Sequence, residues 1–309
     1  MNFDIVYPVK WVIEAILVAF HWFFTNIIHL PADQGYTWVF SIVGLVLVVR
    51  AALIPIFVKQ IKSQRNMMVM QPELQKLQKK YKGKTDRESR EKFAKEQMEL
   101  YKRTGSNPMS SCLPLLIQMP IFGALFFTLN SAQHDNAGVF FMTKELASEF
   151  SKSTLFGAKL SETFLSNHSV NVQVLAAVMI IVMTATQFIT QRQIMAKNQN
   201  PDTQNSQYMM TQKIMLYVFP LIFMISGVSF PLGVMFYWLT TNFWTMGQQF
   251  IVIRNMPTPG SIAHRQREER LAKKGKLFKT ADEPEAIEEA TPTTTQRTQP
   301  TGKKRAKKK

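Results

Sequence analysis

From Tyr36 to Val58 the chain is apolar and carries a single charged residue, Arg50. About 20 apolar residues at about 1.5 Å each cover a hydrocarbon core of roughly 30 Å, so the stretch reads as a transmembrane helix. Arg50 stands nine positions before Lys59. That is about 13 Å along a helix axis, too far for easy snorkelling to the surface. A charge near mid-membrane costs roughly 2.5–3.5 kcal/mol on insertion scales and normally faces a partner or water. The other apolar stretches, 109–131, 171–191, 214–230 and 231–253, contain no Asp or Glu. A guanidinium does not give up its proton, so the reading is a water-filled, positively charged cavity inside a helix bundle. The alternative is an arginine held by helix carbonyls and polar side chains for packing alone.

The 309 residues are 46% hydrophobic and carry a net charge of +16, but apolar and charged residues are segregated into blocks. This pattern describes an all-α polytopic membrane protein with basic loops, not a basic globule. Lys and Arg number fourteen in 59–108, three in 131–170, three in 192–213 and fifteen in 254–309. The positive-inside rule places 59–108 and the C-terminal tail in the cytoplasm and leaves 131–170, with four acidic residues, outside. Five spans starting outside satisfy this: 36–58, 109–131, 171–191, 214–230 and 231–253. The connecting segments are an external loop over 132–170 and a cytoplasmic loop over 192–213. The single cysteine, Cys112, excludes an internal disulfide or cysteine-based zinc site and is not placed as an N-terminal lipid anchor.

Residues 1–35 hold a further apolar and aromatic segment, 11–30, that contains Glu14, His21 and His29 and lacks the basic start and cleavage site of a signal peptide. It forms either an interfacial helix on the outer face, anchored by Trp11 and Trp22, or a sixth span; the interfacial helix is preferred. The two histidines read as interfacial polar groups rather than metal ligands.

Residues 59–108 predict a cytoplasmic helical hairpin. Gln71-Pro72-Glu73 starts the first arm, with Leu74, Leu77 and Tyr81 at helical spacing and Gly83 as its stop. Thr85-Asp86-Arg87-Glu88 reads as a capping box for the second arm. Glu88/Lys92, Glu91/Lys95 and Glu99/Arg103 fall at i, i+4, and Phe93, Met98 and Tyr101 form the facing seam. Met67, Met68 and Met70 at the root are candidate substrate contacts, since thioethers suit varied apolar ligands, although core filling is the commoner use of methionine.

Among the remaining spans, 109–131 has two prolines six apart, Pro114 and Pro120, and Gln118 in hydrocarbon, which predicts a short, irregular helix. The span 171–191 turns polar near Gln187 and Thr190, and 231–253 carries Thr240 and Asn242. A tight external turn around 229–233 joins the last two spans. The tail, 254–309, has no apolar period and ends in a lysine run, which reads as disordered.

The Arg50 span, the charged hairpin, Leu113-Pro-Leu-Leu-Ile-Gln-Met-Pro-Ile-Phe122 and Phe230-Pro-Leu-Gly-Val-Met-Phe-Tyr-Trp238 with Asn242 and Gln248-Gln249 resemble the YidC/Oxa/Alb family of membrane protein insertases. The resemblance covers roughly residues 10–255. It implies a five-helix transmembrane core with a hydrophilic groove open to the cytoplasm and lipid and closed outside. Arg50 matches the family's groove arginine, with the implied role of attracting acidic residues in the extracellular tail of an incoming membrane protein. The hairpin matches a region implied to receive clients from the ribosome or the signal recognition pathway, and family members work alone or beside the Sec translocon. The absence of a large external domain and of a lipoprotein cysteine points to a Gram-positive, actinobacterial plasma membrane.

The expected mechanism needs no cofactor, no metal and no covalent step: no phosphate-binding glycine loop and no convincing nucleophile is present, so the chain does not read as an enzyme. Arg50, with Gln118, Gln187, Thr240 and Asn242 as polar neighbours, forms a wet site that receives a client's acidic tail. The rivals are an anion transporter or channel, which would show internal repeats not found here, and a structural ribosome receptor or chaperone in which Arg50 serves packing. The basic tail binds either ribosomal RNA or anionic lipid.

Overall fold

A computed structural model describes residues 7–104, 113–165, 169–198, 210 and 213–273. The described residues form nine α-helices and one two-stranded hairpin. The helices are α1 (Tyr7–Asn26), α2 (Gly35–Tyr81), α3 (Arg87–Arg103), α4 (Leu113–Ala132), α5 (Lys144–Lys152), α6 (Val170–Asn198), α7 (Phe219–Gly227), α8 (Leu232–Asn255) and α9 (Ile262–Lys273). Strands β1 (Thr154–Leu155) and β2 (Ala158–Lys159) pair antiparallel between α5 and α6. Tyr7–Asn26, Gly35–Met67 and Val170–Lys197 are long and apolar enough to cross a bilayer, and Leu116–Ala132 and Ile214–Gly227 are shorter apolar helices. The chain is an all-α polytopic membrane protein.

The core is one apolar cluster in which Trp38, Ile42 and Leu45 of α2, Leu125 and Leu129 of α4, Val172 and Ala176 of α6, and Val234 and Met235 of α8 are buried. Helix α8 packs on α2 and α6, and α1 packs on α2 and α4. Gly44 permits the second approach, because a Cβ there would come within 2.6 Å of the Phe20 ring. Helix α1 begins and ends four residues before the 11–30 segment read from the sequence. Its end is marked where Thr25 and Asn26 bond back to the carbonyls of His21 and Trp22 and so compete with helix continuation.

Helix α2 is continuous for 47 residues through Pro55 and Pro72, so the hairpin's first arm does not start at Pro72 but is the second half of the Arg50 helix. Each proline removes one backbone bond, which the turns on either side outweigh. Gly83, at a φ of 85°, makes the turn that follows. The second arm is capped by Asp86, not Thr85: its carboxylate accepts the Ser89 N–H at 2.8 Å and is held below the usual carboxylate range by it.

Of the expected i, i+4 pairs only Lys92–Glu88 forms, at 2.6 Å. Glu91 pairs with Arg87 instead, and Arg103 crosses the hairpin to Glu73. Lys80 and Tyr81 likewise cross to Glu96, at 2.7 and 2.8 Å, and hold its carboxyl below the ordinary range. The seam is Met70, Leu74 and Leu100 with Tyr101 against it, and Tyr81 meets Phe93 edge-on at 5.7 Å. Met98, read as a seam residue, is 51% exposed. Leu100 takes that role because it is Leu100 that lies on the face toward α2.

Residues 133–165 cover one end of the bundle. Thr143 caps α5 by accepting the Leu146 N–H, and Phe150 at the helix end is buried edge-on against Trp38 at 5.3 Å. The first amides of α8, which have no intrahelical acceptor, are satisfied by this segment: Leu232 N–H donates to Glu162 O at 3.0 Å and Gly233 N–H to Leu160 O at 2.9 Å. Before α7, Ile214–Val218 takes π register, and Pro220, lacking the N–H that would bond to Leu216, is the local reason. Within the segment read as a disordered tail, α9 is helical, started by Ser261 Oγ accepting the His264 N–H at 3.2 Å and continued by Ala, Arg, Glu and Leu. The lysine run lies outside the described residues.

Leu100→Ala is expected to loosen the hairpin by about 2 kcal/mol, the low end for a buried leucine, read as faster hydrogen exchange in both arms with the transmembrane helices unchanged. Because the Glu96 carboxyl is depressed in the folded hairpin, its contribution is present above the unfolded value of about 4.3 and is lost as pH falls through the folded one. Hairpin exchange should therefore accelerate below about pH 4, and Glu96→Gln should reduce that acid step, leaving the part carried by the Asp86 cap.

Candidate functional site

Arg50 is 9% exposed, on the face of α2 that packs toward α8. Its guanidinium lies 5.5 Å from the centre of the Phe57 ring, two turns further along the same helix, and in electrostatic range of the Tyr237 phenol on α8. Among the described residues it forms no ion pair with a carboxylate. Cation–π contact satisfies part of a guanidinium and leaves its five N–H donors in need of acceptors. Gln118 of α4 enters the same place and donates from Nε2 to the Tyr237 hydroxyl. Three helices thus bring an arginine, an amide and a phenol together in an otherwise apolar bundle.

Thr241, one turn below Tyr237, is buried with its hydroxyl beside the Tyr237 phenol but without a well-formed hydrogen bond among the described residues, and Gln60, ten residues along α2 from Arg50, is buried with an Oε1 unpartnered among them. Buried polar atoms without protein partners mark places where water or a polar ligand is needed. Beside the polar group sits an aromatic wall. Phe122 stacks on Trp238 at 4.9 Å with the rings 5° from parallel, and Phe230 meets Trp238 edge-on at 4.8 Å. Phe230 and Trp238 of this wall flank the start of α8, where the 133–165 cap bonds, and Phe122 stands midway along α4.

The remaining residues named from the sequence fall elsewhere. Thr240 bonds back to Phe236 O within α8 at 2.8 Å, which satisfies its hydroxyl without the groove. Asn242 donates to Met183 O at 3.4 Å and so ties α8 to α6. Gln187 is half-buried on α6, with no hydrogen bond to Arg50, Gln118 or Tyr237. Met70 is 3% exposed and accepts from Thr104 in the hairpin seam, so it fills a core and offers no surface to a client. Met67 is half-buried, and the side chain of Met68 lies outside the described residues.

Tyr237 was within the motif quoted above yet absent from the residues proposed for the site. The signal available was its i, i+4 spacing with Thr241, which places two hydroxyls on one face of an apolar helix. Among the described residues no three His, Cys, Asp or Glu gather as a metal ion requires.

The chain matches the family described as 60Kd inner membrane protein over residues 16–259. A Tropheryma whipplei protein named membrane protein insertase YidC is 38% identical over 98% of this chain and 96% of its own length. The chain belongs to the YidC family of membrane protein insertases. A Streptomyces avermitilis member is 46% identical over 86% of this chain, which spans 61% of that relative's length. A Bifidobacterium longum member is 35% identical over 87% of this chain and 81% of its own. The family match takes in Arg50, Gln118 and Tyr237 together with the helices that bring them into contact.

Tyr237→Phe removes the only hydrogen-bond acceptor that the described residues give the Gln118 amide. The unpaired group is expected to cost about 1–3 kcal/mol, seen as a lower unfolding midpoint in detergent. Adding Gln118→Leu should recover part of the loss, as a coupled pair does.

Proposed function

We propose that this insertase works by electrostatic capture: a nascent membrane protein's acidic external tail enters a wet groove at Arg50, and its apolar helix then leaves sideways into lipid. The observation that carries the reading is a buried arginine without a carboxylate partner among the described residues. An arginine whose task was packing would be expected to have its donors met by protein, as the buried Glu14 has its acceptors met by the amides of Val139 and Phe140.

Charge arithmetic supports it. Two unit charges about 4 Å apart at an effective dielectric of about 20 attract by about 4 kcal/mol. Desolvating a carboxylate costs several kcal/mol. An arginine already in place inside the bundle therefore offsets a large part of the barrier to moving an acidic tail inward. Gln118, Tyr237 and Thr241 add polar groups along that path. No bond is made or broken.

The orientation follows from the same reading. With the basic hairpin and tail in the cytoplasm of a bacterial plasma membrane, the 133–165 cap and the aromatic wall lie outside and close the groove there, leaving it open to the cytoplasm and to lipid. Helix α1 then lies across the outer ends: His21 stacks on Trp38 near the start of α2, and Lys10 sits over Phe127 near the end of α4. The hairpin reaches into the cytoplasm toward the ribosome and the signal recognition pathway, with Met67 at its root as a client contact. The Sec translocon is a partner for longer clients, and the basic tail holds ribosomal RNA or anionic lipid.

Arg50→Ala, in cells depleted of the native insertase, is expected to slow insertion of a client with an acidic external tail at least tenfold. That corresponds to about 1.4 kcal/mol, a third of the Coulomb term. A client with a neutral tail should be little affected, and Arg50→Lys should keep most activity. Equal insertion of both clients by Arg50→Ala would remove the electrostatic role.

A further inference from the structure

Helix α1 buries two ionisable side chains, Glu14 at 0% exposure and His21 at 2%, on the face that also buries Ile13 and Leu17. Neither belongs to the Arg50 site. The Glu14 carboxylate is held by the outer cap: Oε1 accepts the Val139 N–H at 2.7 Å, and Oε2 accepts the N–H groups of Phe140 at 3.0 Å and Phe141 at 3.3 Å. Met142 N–H reaches Oε2 at 3.5 Å, and the Thr128 hydroxyl of α4 reaches Oε1 at 3.4 Å.

The loop is shaped for this anion. Gly138 N–H donates to Met142 O at 2.8 Å, closing a tight turn whose intervening amides converge on one point. A Cβ on residue 138 would fall on the carboxylate itself. Convergent backbone N–H groups form an anion-binding concavity, and a carboxylate has only acceptors to present to it. Phe140 and Phe141 fold over Trp11, with ring centres 6.3 and 5.2 Å away. Seven residues on, His21 donates from Nε2 to Ala32 O at 3.1 Å and stacks on Trp38 at 4.1 Å, and Trp38 is the ring against which the cap's Phe150 is packed.

We propose that Glu14 is a positioning residue for insertion: an anionic latch that holds the outer cap closed over the Arg50 groove, so that the groove opens only to the cytoplasm and lipid. The inference rests on the groove reading above. Its content is that one-sidedness depends on a carboxylate in α1, outside the five-span core. Without it, the amides of residues 139–141 lose their acceptor, and the loop must move to where water satisfies them. Glutamine, equal in size, would set its own N–H₂ against those donors, so charge and acceptor count matter rather than volume.

The test labels a single groove cysteine, Thr241→Cys in a Cys112→Ser background, with a membrane-impermeant maleimide applied to either face of sealed vesicles. With Glu14 in place, labelling is expected from the cytoplasmic face alone. Glu14→Ala and Glu14→Gln should raise labelling from the outside at least tenfold, and Glu14→Asp should restore most of the closure. Gly138→Ala, which crowds the carboxylate and deletes no polar group, tests the same latch if the Glu14 variants do not accumulate.

One-sided labelling in Glu14→Gln or Gly138→Ala would overturn the latch while leaving the groove intact. Labelling of the Glu14-containing parent from both faces or from neither would overturn the groove reading, and the latch with it.

Discussion

A guanidinium in an apolar bundle, with no carboxylate beside it among the described residues, is the constraint on which the rest of this structure depends. Arg50 must keep its charge, and the described contacts, a Phe57 ring and a Tyr237 phenol, satisfy only part of it. The helices around it supply partial dipoles, with no counter-ion among the described residues: Gln118 bonds to Tyr237, and the Thr241 hydroxyl lies beside that phenol. A full counter-ion would neutralise the site. Weak, dipolar neighbours leave the positive charge available.

The second feature is how sharply the polar site is bounded. The Phe122–Trp238 stack and the edge-on Phe230 form an aromatic wall next to Tyr237, and the cap presses Phe150 onto Trp38. The cap itself has little regular structure, so its backbone groups are met by the helices it covers: α8's first amides bond to Glu162 and Leu160, and Glu14 takes the amides of 139–141. Glu14, with both oxygens met by cap amides, holds the cap, while Gln118 and Tyr237 lie beside Arg50.

Much of the fold was legible in the sequence because membrane helices are written in long apolar runs and the charged hairpin in i, i+4 spacing. What was misread concerns the hairpin. Pro72 was taken as a start, yet α2 runs through it, because a proline's local cost is small against a 47-residue helix. Glu99/Arg103 was paired along one arm, yet Arg103 crosses to Glu73, because antiparallel arms offer a partner at equal distance. Met98 was read into the seam yet is exposed, and Met70 takes the core-filling role that was weighed beside client contact, because a two-helix seam depends on the rotation of one arm about the other, which periodicity alone leaves open.

For the site, Arg50 was visible by elimination: a charge in a span with no acidic residue in any other span is a statement about composition alone. Its neighbours were not. Thr240 and Thr241 are adjacent in sequence, but a helix turns about 100° per residue, so one bonds to its own backbone and the other is buried beside the Tyr237 phenol. Asn242 became a tie to α6, and Tyr237 became the partner of Gln118, 119 positions away. The sequence by itself determined that this chain crosses a membrane, that it carries an uncompensated positive charge inside, and where its basic segments lie, because these are sums over residues. Which side chains surround that charge, and that Glu14 is spent on the cap rather than on Arg50, were decided only by tertiary packing, because helix rotation and loop closure set the direction of every polar group.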